Sequence, residues 1–191
     1  RAYVWDPASG AIDLGLHDAR AQVVNDAGRV VGTFGDGAVN RVFVWDDGAL
    51  TYLDAPGGLR YDVVAINASG AFVGRMVVDG FAETRGFWSD GKIVVDLGTL
   101  GGTFTDVAAL SDDGVVVGGS SLEGDFERHA YRWTAAGGMV DLGTLGGLDS
   151  AATSVDAEGR ALGYASTPEA RSLAVRWELD GSVSTLGDGA G

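Results

Sequence analysis

An eight-residue segment that occurs twice constrains the fold of this chain more than any other feature. The segment Val-Asp-Leu-Gly-Thr-Leu-Gly-Gly runs from Val95 to Gly102 and again, unchanged, from Val140 to Gly147, at a spacing of 45 residues. A period of this length holds one supersecondary unit, and periods of about 20 to 50 residues are typical of repeat architectures. A repeated fold is therefore the first hypothesis.

Two kinds of strand-like hairpin recur around this segment. An aromatic strand has five copies, at residues 1–5, 41–45, 85–88, 128–133 and 173–177, and each is followed by a partner segment that ends at residue 15, 54, 98, 143 or 187. A second hairpin has four copies with turns at 25–28, 67–70, 111–114 and 156–159, and each turn ends in a glycine that can take a positive φ. These hairpins continue to a strand glycine at Gly32, Gly74, Gly118 or Gly163.

The recurrence predicts 18 short strands and no helix, because no window has apolar residues at the i, i+3, i+4 and i+7 positions of an amphipathic helix. Four antiparallel strands at this period match a blade of a β-propeller. We predict a single all-β domain, a propeller of about five blades with one incomplete. Its half repeat covers 1–15 and its blades cover approximately 19–56, 61–100, 104–145 and 150–187. A β-solenoid is the alternative.

The strand glycines suggest a close contact between strands. If the Val-Val-Gly strand pairs with the following aromatic strand, its glycine lies under the aromatic ring and leaves room for it. A substitution such as Gly118→Val should then destabilise the fold.

Charge and composition exclude several classes of function. The net charge of −14 disfavours binding to nucleic acid or to anionic membranes. The absence of cysteine excludes disulfides and Cys-based zinc or redox sites, and no apolar run is long enough to span a bilayer. Much of the acidity lies in Asp-Gly turns. We predict no cofactor, with calcium at the 111–114 or 156–159 turns as the alternative.

The chain resembles a known repeat family. The residues His129-Ala130-Tyr131-Arg132-Trp133, the following segment Val140–Gly147, and the Asn-Asp-Ala-Gly turn at 25–28 with Val30-Val31-Gly32 resemble the HAF repeat of bacterial extracellular proteins. That repeat has a His-Ala-Phe triplet, a Trp, an Asp-Leu-Gly-Thr-Leu-Gly-Gly segment and an Ile-Asn-x-x-Gly-x-Val-Val-Gly hairpin. The resemblance covers essentially the whole chain, although only the fourth copy keeps His and Ala, and Tyr131 replaces Phe.

The resemblance implies an exported bacterial protein, extracellular or on the cell surface, and carries no catalytic residues to transfer. The strand order is also similar to that of NHL-type propellers, in which a hairpin closed by an Asx-x-x-Gly turn forms the two inner strands of a blade. One lysine beside twelve arginines suggests a GC-rich bacterial genome. A start at Arg1 without Met or a signal-like segment suggests a mature or excised piece.

The sequence contains no motif of nucleophilic or phosphate-binding chemistry. His129 occupies the structural His position of the repeat, and His17 is expected in a solvated loop without a positioned Ser nucleophile. The glycine-rich segment Gly143–Gly147 lacks the Lys-Ser/Thr ending of a phosphate loop, and its recurrence indicates a junction between blades.

A ligand site is instead expected on one face of the propeller, formed by the loops that enter each blade and those between its second and third strands. Arg20, Asp62 and Asp106 should lie at equivalent positions just before the inner strands. Aromatic residues near Asp and Arg suit a carbohydrate or peptide ligand. The predicted ligand-binding residues are Arg20, Asp62, Asp106, Arg60, Tyr61, Phe104 and Asp149.

The favoured function is a binding or structural module for a glycan or protein ligand. One alternative is an extracellular polysaccharide hydrolase or lyase that uses loop carboxylates such as Asp62 and Asp106. Another is self-association through the strand edges of the incomplete blade. An ordinary polar loop surface without a ligand also fits this pattern.

Overall fold

The computed structural model describes residues 1–7, 10–37, 39–53, 59–78 and 82–187, with the side chains of all of them except Asp6 and Asp36. Residues 8 and 9, between the first aromatic strand and its partner segment, and the segment 54–58, where the second partner segment is predicted to end, lie outside these ranges. The described residues form 18 strands and no helix, as predicted. Within the same ranges no helix is present that could cross a membrane.

The strands form a leading hairpin followed by four groups of four strands. The hairpin comprises β1 (Tyr3–Asp6) and β2 (Gly10–Asp13). The first sheet comprises β3 (Ala19–Val24), β4 (Val30–Asp36), β5 (Val39–Asp46) and β6 (Ala49–Leu53). The second comprises β7 (Arg60–Ile66), β8 (Phe72–Val78), β9 (Glu83–Ser89) and β10 (Val94–Asp96). The third comprises β11 (Gly101–Leu110), β12 (Val116–Leu122), β13 (Arg128–Thr134) and β14 (Gly138–Gly143). The fourth comprises β15 (Ser150–Val155), β16 (Ala161–Ser166), β17 (Ser172–Trp177) and β18 (Val183–Thr185).

Strand pairing follows the chain within each group. Every pair of consecutive strands in a group is antiparallel. Parallel pairing between groups is limited to single residue pairs in the described ranges, Phe104 with Thr84 between the second and third groups and Arg128 with Asp149 between the third and fourth. In a β-solenoid, strands of successive coils would pair in parallel along the whole array. The observed hairpins therefore match the predicted four-stranded antiparallel units and not the solenoid alternative.

The strand glycines allow the first, second and third strands of a sheet to approach closely. Gly118 pairs with Tyr131 on β13, as Gly32 and Gly74 pair with phenylalanines, whereas the fourth sheet has Val175 at this position. A Cβ atom on Gly118 would lie 2.9 Å from Tyr131 Cε1 and would overlap the carbonyl oxygen of Asp106. The Tyr131 hydroxyl crosses above the glycine and donates to that same carbonyl at 3.0 Å. The predicted glycine-under-ring contact is confirmed in the first three sheets.

The turns of the inner hairpins connect neighbouring sheets. Asn25 caps its own turn, because its Oδ1 accepts from the Arg29 amide at 3.0 Å, and Gly28 has a φ of 82°. The Asn25 Nδ2 donates across to the Asn67 carbonyl of the second sheet at 3.1 Å. Asn67 Nδ2 in turn donates to the Ser111 carbonyl of the third sheet at 3.1 Å.

The first copy of the octapeptide forms a junction between two sheets. Asp96 accepts hydrogen bonds from the Gly98 amide at 2.8 Å and from Arg85 Nη1 at 3.0 Å, while Leu97 is buried. Gly98 has a φ of 76°, which an L side chain rarely adopts. Its carbonyl accepts from the buried hydroxyl of Thr105 on β11 at 2.8 Å.

The second copy repeats this arrangement with one substitution. Asp141 accepts from the Gly143 amide at 2.7 Å, and His129 replaces the arginine at 2.9 Å from the carboxylate. The Gly143 carbonyl accepts from Ser150 Oγ on β15 at 2.7 Å. Both copies of the segment are thus used in hydrogen bonds that turn the chain and tie it to the next sheet.

The hydrophobic core consists of four clusters, each shared by two consecutive parts of the chain. Ala2 of the leading hairpin packs with Phe43 of the first sheet, and the second cluster joins Val31 to Phe72 of the second sheet. The third cluster spans the second and third sheets, and the fourth spans the third and fourth. The described sheets therefore stack in series, in chain order.

Candidate functional site

A cavity of about 600 Å³ opens between the first and second sheets. It lies at the end of the sheets where β3 and β7 begin and where β4 and β8 end, which is the face predicted to carry the ligand. Five of the seven predicted ligand-binding residues line it, namely Arg20, Arg60, Tyr61, Asp62 and Phe104. We call it the inter-sheet cavity.

The register explains why these residues meet. The residue that pairs with the strand glycine is Ala21 in the first sheet, Val63 in the second and Val107 in the third. The residues directly before them, Arg20, Asp62 and Asp106, are therefore equivalent, as the sequence predicted. They lie within β3, β7 and β11 and not before these strands, because the inner strands begin earlier than predicted. Each strand has a bulge shortly after this position and continues beyond it.

One wall of the cavity is a network of charged and amide groups. Arg75 Nη2 donates to Asp62 at 2.9 Å, and its Nη1 donates to Asp106 at 3.3 Å. Gln22 Nε2 donates to the other oxygen of Asp62 at 2.5 Å, and Gln22 Oε1 accepts from the Val63 amide at 3.3 Å. Asp106, which does not line the cavity, therefore contributes by fixing Arg75. The two carboxylates considered for catalysis bind the same guanidinium.

Asn40 and Tyr61 form a second, more rigid part of the wall. Asn40 Nδ2 donates to the Tyr61 carbonyl at 2.9 Å, and Asn40 Oδ1 accepts from the Tyr61 amide. The Tyr61 side chain is only 4% exposed, and its ring packs edge-on against Phe87 with centroids 5.6 Å apart. Tyr61 is therefore mainly a core residue that borders the cavity.

Three ionised groups that line the cavity are not used in this network. The guanidinium groups of Arg20 and Arg60 and the carboxylate of Asp18 have no hydrogen bond or ion pair within the described ranges. All three side chains belong to exposed residues. Asp18 has a φ of 49°, and its carbonyl accepts from the Gly35 amide at 3.0 Å, which fixes the entry into β3.

Phe104 gives the cavity an apolar border on the side of the third sheet. Phe104 is 37% exposed, and the Arg128 guanidinium lies over its ring, 5.4 Å from the ring centroid. Arg128 Nη2 is also 3.7 Å from Asp106. The aromatic ring is thus held beside the cavity by a cation–π contact that is itself oriented by a carboxylate.

Asp149 does not line the inter-sheet cavity, although it pairs with Arg128, the residue over the Phe104 ring. It borders a separate cleft of about 560 Å³ in the fourth sheet, and its backbone amide donates to Ser166 Oγ at 2.9 Å. Burial, followed by the charge of Asp149, raises the pKa of the Tyr164 hydroxyl above its usual value. The sequence predicts Asp149 near the other residues on a shared loop face, but in the structure it borders this separate cleft and not the inter-sheet cavity.

Sequence reasoning missed Asp18, Gln22, Asn40 and Arg75. Gln22 occupies the bulge position, where the second and third sheets have Val64 and Ala108. A comparison of the repeat copies for single polar residues at otherwise apolar positions would have identified it. Asn40 lies at the start of β5, and no feature of the other repeat copies pointed to it.

The histidines and acidic turns take part in local structure. His129 bonds to Asp141, and His17 is exposed between β2 and β3. Burial opposes ionisation of Asp156, but hydrogen bonds from Arg160 Nε at 2.6 Å and from the Arg160 amide at 2.8 Å outweigh it and lower the pKa of the Asp156 carboxyl. The described residues contain no group of three His, Cys, Asp or Glu side chains arranged to hold a metal ion.

Comparison with known proteins identifies the fold and nothing finer. No protein-family model matches the sequence, and no curated protein matches it significantly. Among solved structures, the chain is similar to dipeptidyl peptidase 4 of Porphyromonas gingivalis, with a TM-score of 0.69 and 12% identity over 98% of this chain and 29% of that one. It is similar to TolB from Acinetobacter baumannii, with a TM-score of 0.54 and 16% identity over 83% of this chain and 40% of that one.

A third similar structure is the β-propeller domain of the trilobed protease from Pyrococcus furiosus, with a TM-score of 0.53 and 14% identity over 97% of this chain and 57% of that one. This chain therefore spans between about a third and somewhat over half the length of these proteins. At such identities the similarity reports the fold alone. The chain has an all-β fold of the type found in β-propeller proteins.

Proposed function

We propose that this chain is a ligand-binding module and that its ligand, a carbohydrate or a peptide, occupies the inter-sheet cavity. The observation that carries this proposal is the pair of guanidinium groups, Arg20 and Arg60, that line an open cavity without partners in the described ranges. Pockets of this size that combine an apolar border with a few unengaged polar groups are the usual form of a binding site.

The surrounding network supports a binding role over a catalytic one. The side chains of Gln22, Asn40 and Arg75 form hydrogen bonds to other protein groups. These bonds fix the cavity wall. Preorganised walls reduce the cost of ordering side chains when a ligand binds. Asp62 and Asp106 already share Arg75, and neither is presented alone to a scissile bond.

We further propose that the module belongs to an exported bacterial repeat protein of the HAF type, extracellular or on the cell surface, and forms a propeller of about five blades with one incomplete. The leading hairpin supports this count, because Tyr3, Val4 and Trp5 correspond to the third-strand residues Phe43, Val44 and Trp45 of the first sheet. It would thus be the outer half of a blade.

The test is a binding screen of oligosaccharides and short peptides by isothermal titration calorimetry. We expect at least one ligand whose affinity falls about tenfold or more in Arg60→Ala, since a charge-assisted hydrogen bond is lost. Lys92→Ala is the matched control, because it removes one exposed positive charge on the turn between β9 and β10. It should bind like the wild type.

Two results would contradict the proposal. One is the absence of any ligand whose affinity depends on Arg60. The other is the release of new reducing ends from a polysaccharide, lost on Asp62→Asn or Asp106→Asn, which would support an enzyme.

A further inference from the structure

The inter-sheet cavity is a cationic region on an acidic protein. The whole chain carries a net charge of −14, yet the cavity is lined by three arginines and two aspartates. Arg75 is already balanced by Asp62 and Asp106. Among the described residues, the charges left for a ligand are therefore the two guanidinium groups of Arg20 and Arg60 and the single carboxylate of Asp18.

The two guanidinium groups that have no partner in the described ranges come from different sheets and line the same cavity. Arg20 lies on β3 of the first sheet, and Arg60 begins β7 of the second. A guanidinium presents its donors as a planar fork that matches the two oxygens of a carboxylate. Two such groups facing one cavity indicate that the ligand carries at least one negative charge there.

The remaining free groups favour a sugar as the carrier of that charge. Asp18 can only accept hydrogen bonds when ionised, so it needs a donor such as a sugar hydroxyl. Phe104 offers a partly exposed ring that can contact the C–H face of a pyranose. An extended peptide would bind mainly through main-chain hydrogen bonds along a strand edge. The groups that this cavity offers to a ligand are instead the side chains of Arg20, Arg60 and Asp18, together with the partly exposed ring of Phe104 that Arg128 holds in place.

From these observations we propose that the inter-sheet cavity binds a hexuronic acid unit of an acidic oligosaccharide. The carboxylate lies between Arg20 and Arg60, a hydroxyl donates to Asp18, and the pyranose face lies against Phe104. The inference rests on the proposed binding function and narrows its ligand class.

The test compares sugars that differ only at C6. Digalacturonate and digalactose, in the same linkage, are titrated into the folded chain by calorimetry, together with N-acetylglutamate amide as a carboxylate without a sugar ring. We expect digalacturonate to bind at least about tenfold more tightly than either of the other probes. Arg20→Gln and Arg60→Gln should each weaken its binding about tenfold or more, whereas Lys92→Gln, which removes a charge outside the cavity, should not change it. Urea unfolding midpoints of the variants confirm that each is folded.

The other possible outcomes contradict the uronate inference, the proposed binding function or both. If digalactose binds as tightly as digalacturonate, the uronate inference is refuted. The same holds if another neutral sugar binds as tightly and its binding does not depend on Arg60. Equal binding of N-acetylglutamate amide would replace the sugar by an acidic peptide. In both cases a ligand that still depends on the cavity would leave the proposed binding function intact. If no probe and no screened ligand depends on Arg20 or Arg60, both proposals fall.

Discussion

At the scale of single residues, the strand glycines carry the tightest constraint in the fold. Gly118 sits where the bulged first strand presses its Asp106 carbonyl against the second strand and where the Tyr131 ring covers the same point. The position has no room for a methyl group, since the obstacle is backbone and cannot move aside. The recurrence of glycine at this point follows from that geometry.

We expect Gly118→Ala to lower the free energy of unfolding by at least about 2 kcal/mol, and Gly118→Val by more, because the added atoms overlap the Asp106 carbonyl. Gly187→Ala is the control, since a Cβ there meets no atom within 4 Å. It should change stability by less than about 0.5 kcal/mol. Urea unfolding measures both, and equal effects would contradict the close-contact explanation.

A second residue-scale feature is the turn after β12. Asp125 has a φ of 61° and accepts from the Thr103 amide at 2.8 Å, from Thr103 Oγ1 at 2.9 Å and from Ser121 Oγ at 2.5 Å. These hydrogen bonds, that of Ser121 first, lower the pKa of the Asp125 carboxyl below its usual value of 3.8. They hold the turn at the start of a segment whose Phe126 is 92% exposed.

Because the pKa of Asp125 is lower in the folded protein than in the unfolded chain, its contribution is present above pH 3.8 and is lost as the pH falls through the folded-state pKa. Asp125→Asn should therefore show a smaller decrease in unfolding midpoint between pH 6 and pH 2.5 than the wild type. Asp113→Asn, at a carboxylate without a hydrogen bond in the described ranges, should parallel the wild type. If the unfolding midpoint of Asp125→Asn falls with pH as steeply as that of the wild type, this explanation is contradicted.

At the scale of the elements, the turns of the inner hairpins stabilise the neighbouring sheet as well as their own. Asn67 is 5% exposed and has two separate roles. Its Oδ1 accepts from the Ala71 amide at 3.0 Å to close its own turn, while its Nδ2 donates to the carbonyls of Ser111 at 3.1 Å and Asp112 at 3.3 Å. The third sheet has Ser111 at this position, which closes its turn through the Val115 amide at 3.0 Å.

Asn67→Ala should lower the free energy of unfolding by about 2 to 4 kcal/mol, because it removes the turn cap and leaves buried backbone groups without partners. Asn67→Ser should cost about half as much, since a serine hydroxyl can still cap the turn but cannot reach the third sheet. Chemical unfolding of the two variants separates the cap from the link. If Asn67→Ser and Asn67→Ala lower the free energy of unfolding equally, the turn cap contributes nothing to stability.

At the scale of the whole molecule, the chain behaves as a series of sheets in which each core cluster joins two neighbours. The stability of such an array is close to a sum of unit and interface contributions. The leading hairpin covers the outer side of the first sheet, where Val30 and Phe43 are buried.

Deletion of residues 1–15 should therefore act locally. Amides of β4 and β5 should lose most of their hydrogen-exchange protection, because the cluster around Phe43 becomes exposed, while those of β16 and β17 should keep theirs. Native-state hydrogen exchange with mass spectrometry measures both regions at once. A uniform loss across all sheets would show that the array unfolds as one unit.

The repeats by themselves determined the strand content, the hairpin pairing, the strand glycines and the equivalence of Arg20, Asp62 and Asp106. These features depend on contacts within one repeat, and each repeat supplies an independent copy of the same short-range pattern. The octapeptide is predictable for the same reason: its Asp binds the amide two residues ahead, as at Asp96 and Gly98.

Only the tertiary structure decided which equivalent positions act together. Arg20 and Arg60 face one cavity because the first and second sheets are adjacent, whereas Asp149 borders a separate cleft in the fourth sheet. Gln22 and Arg75 became part of its wall through bonds that cross between sheets. Such contacts join residues about 30 to 40 positions apart, and no local pattern records them, because they depend on how neighbouring sheets pack.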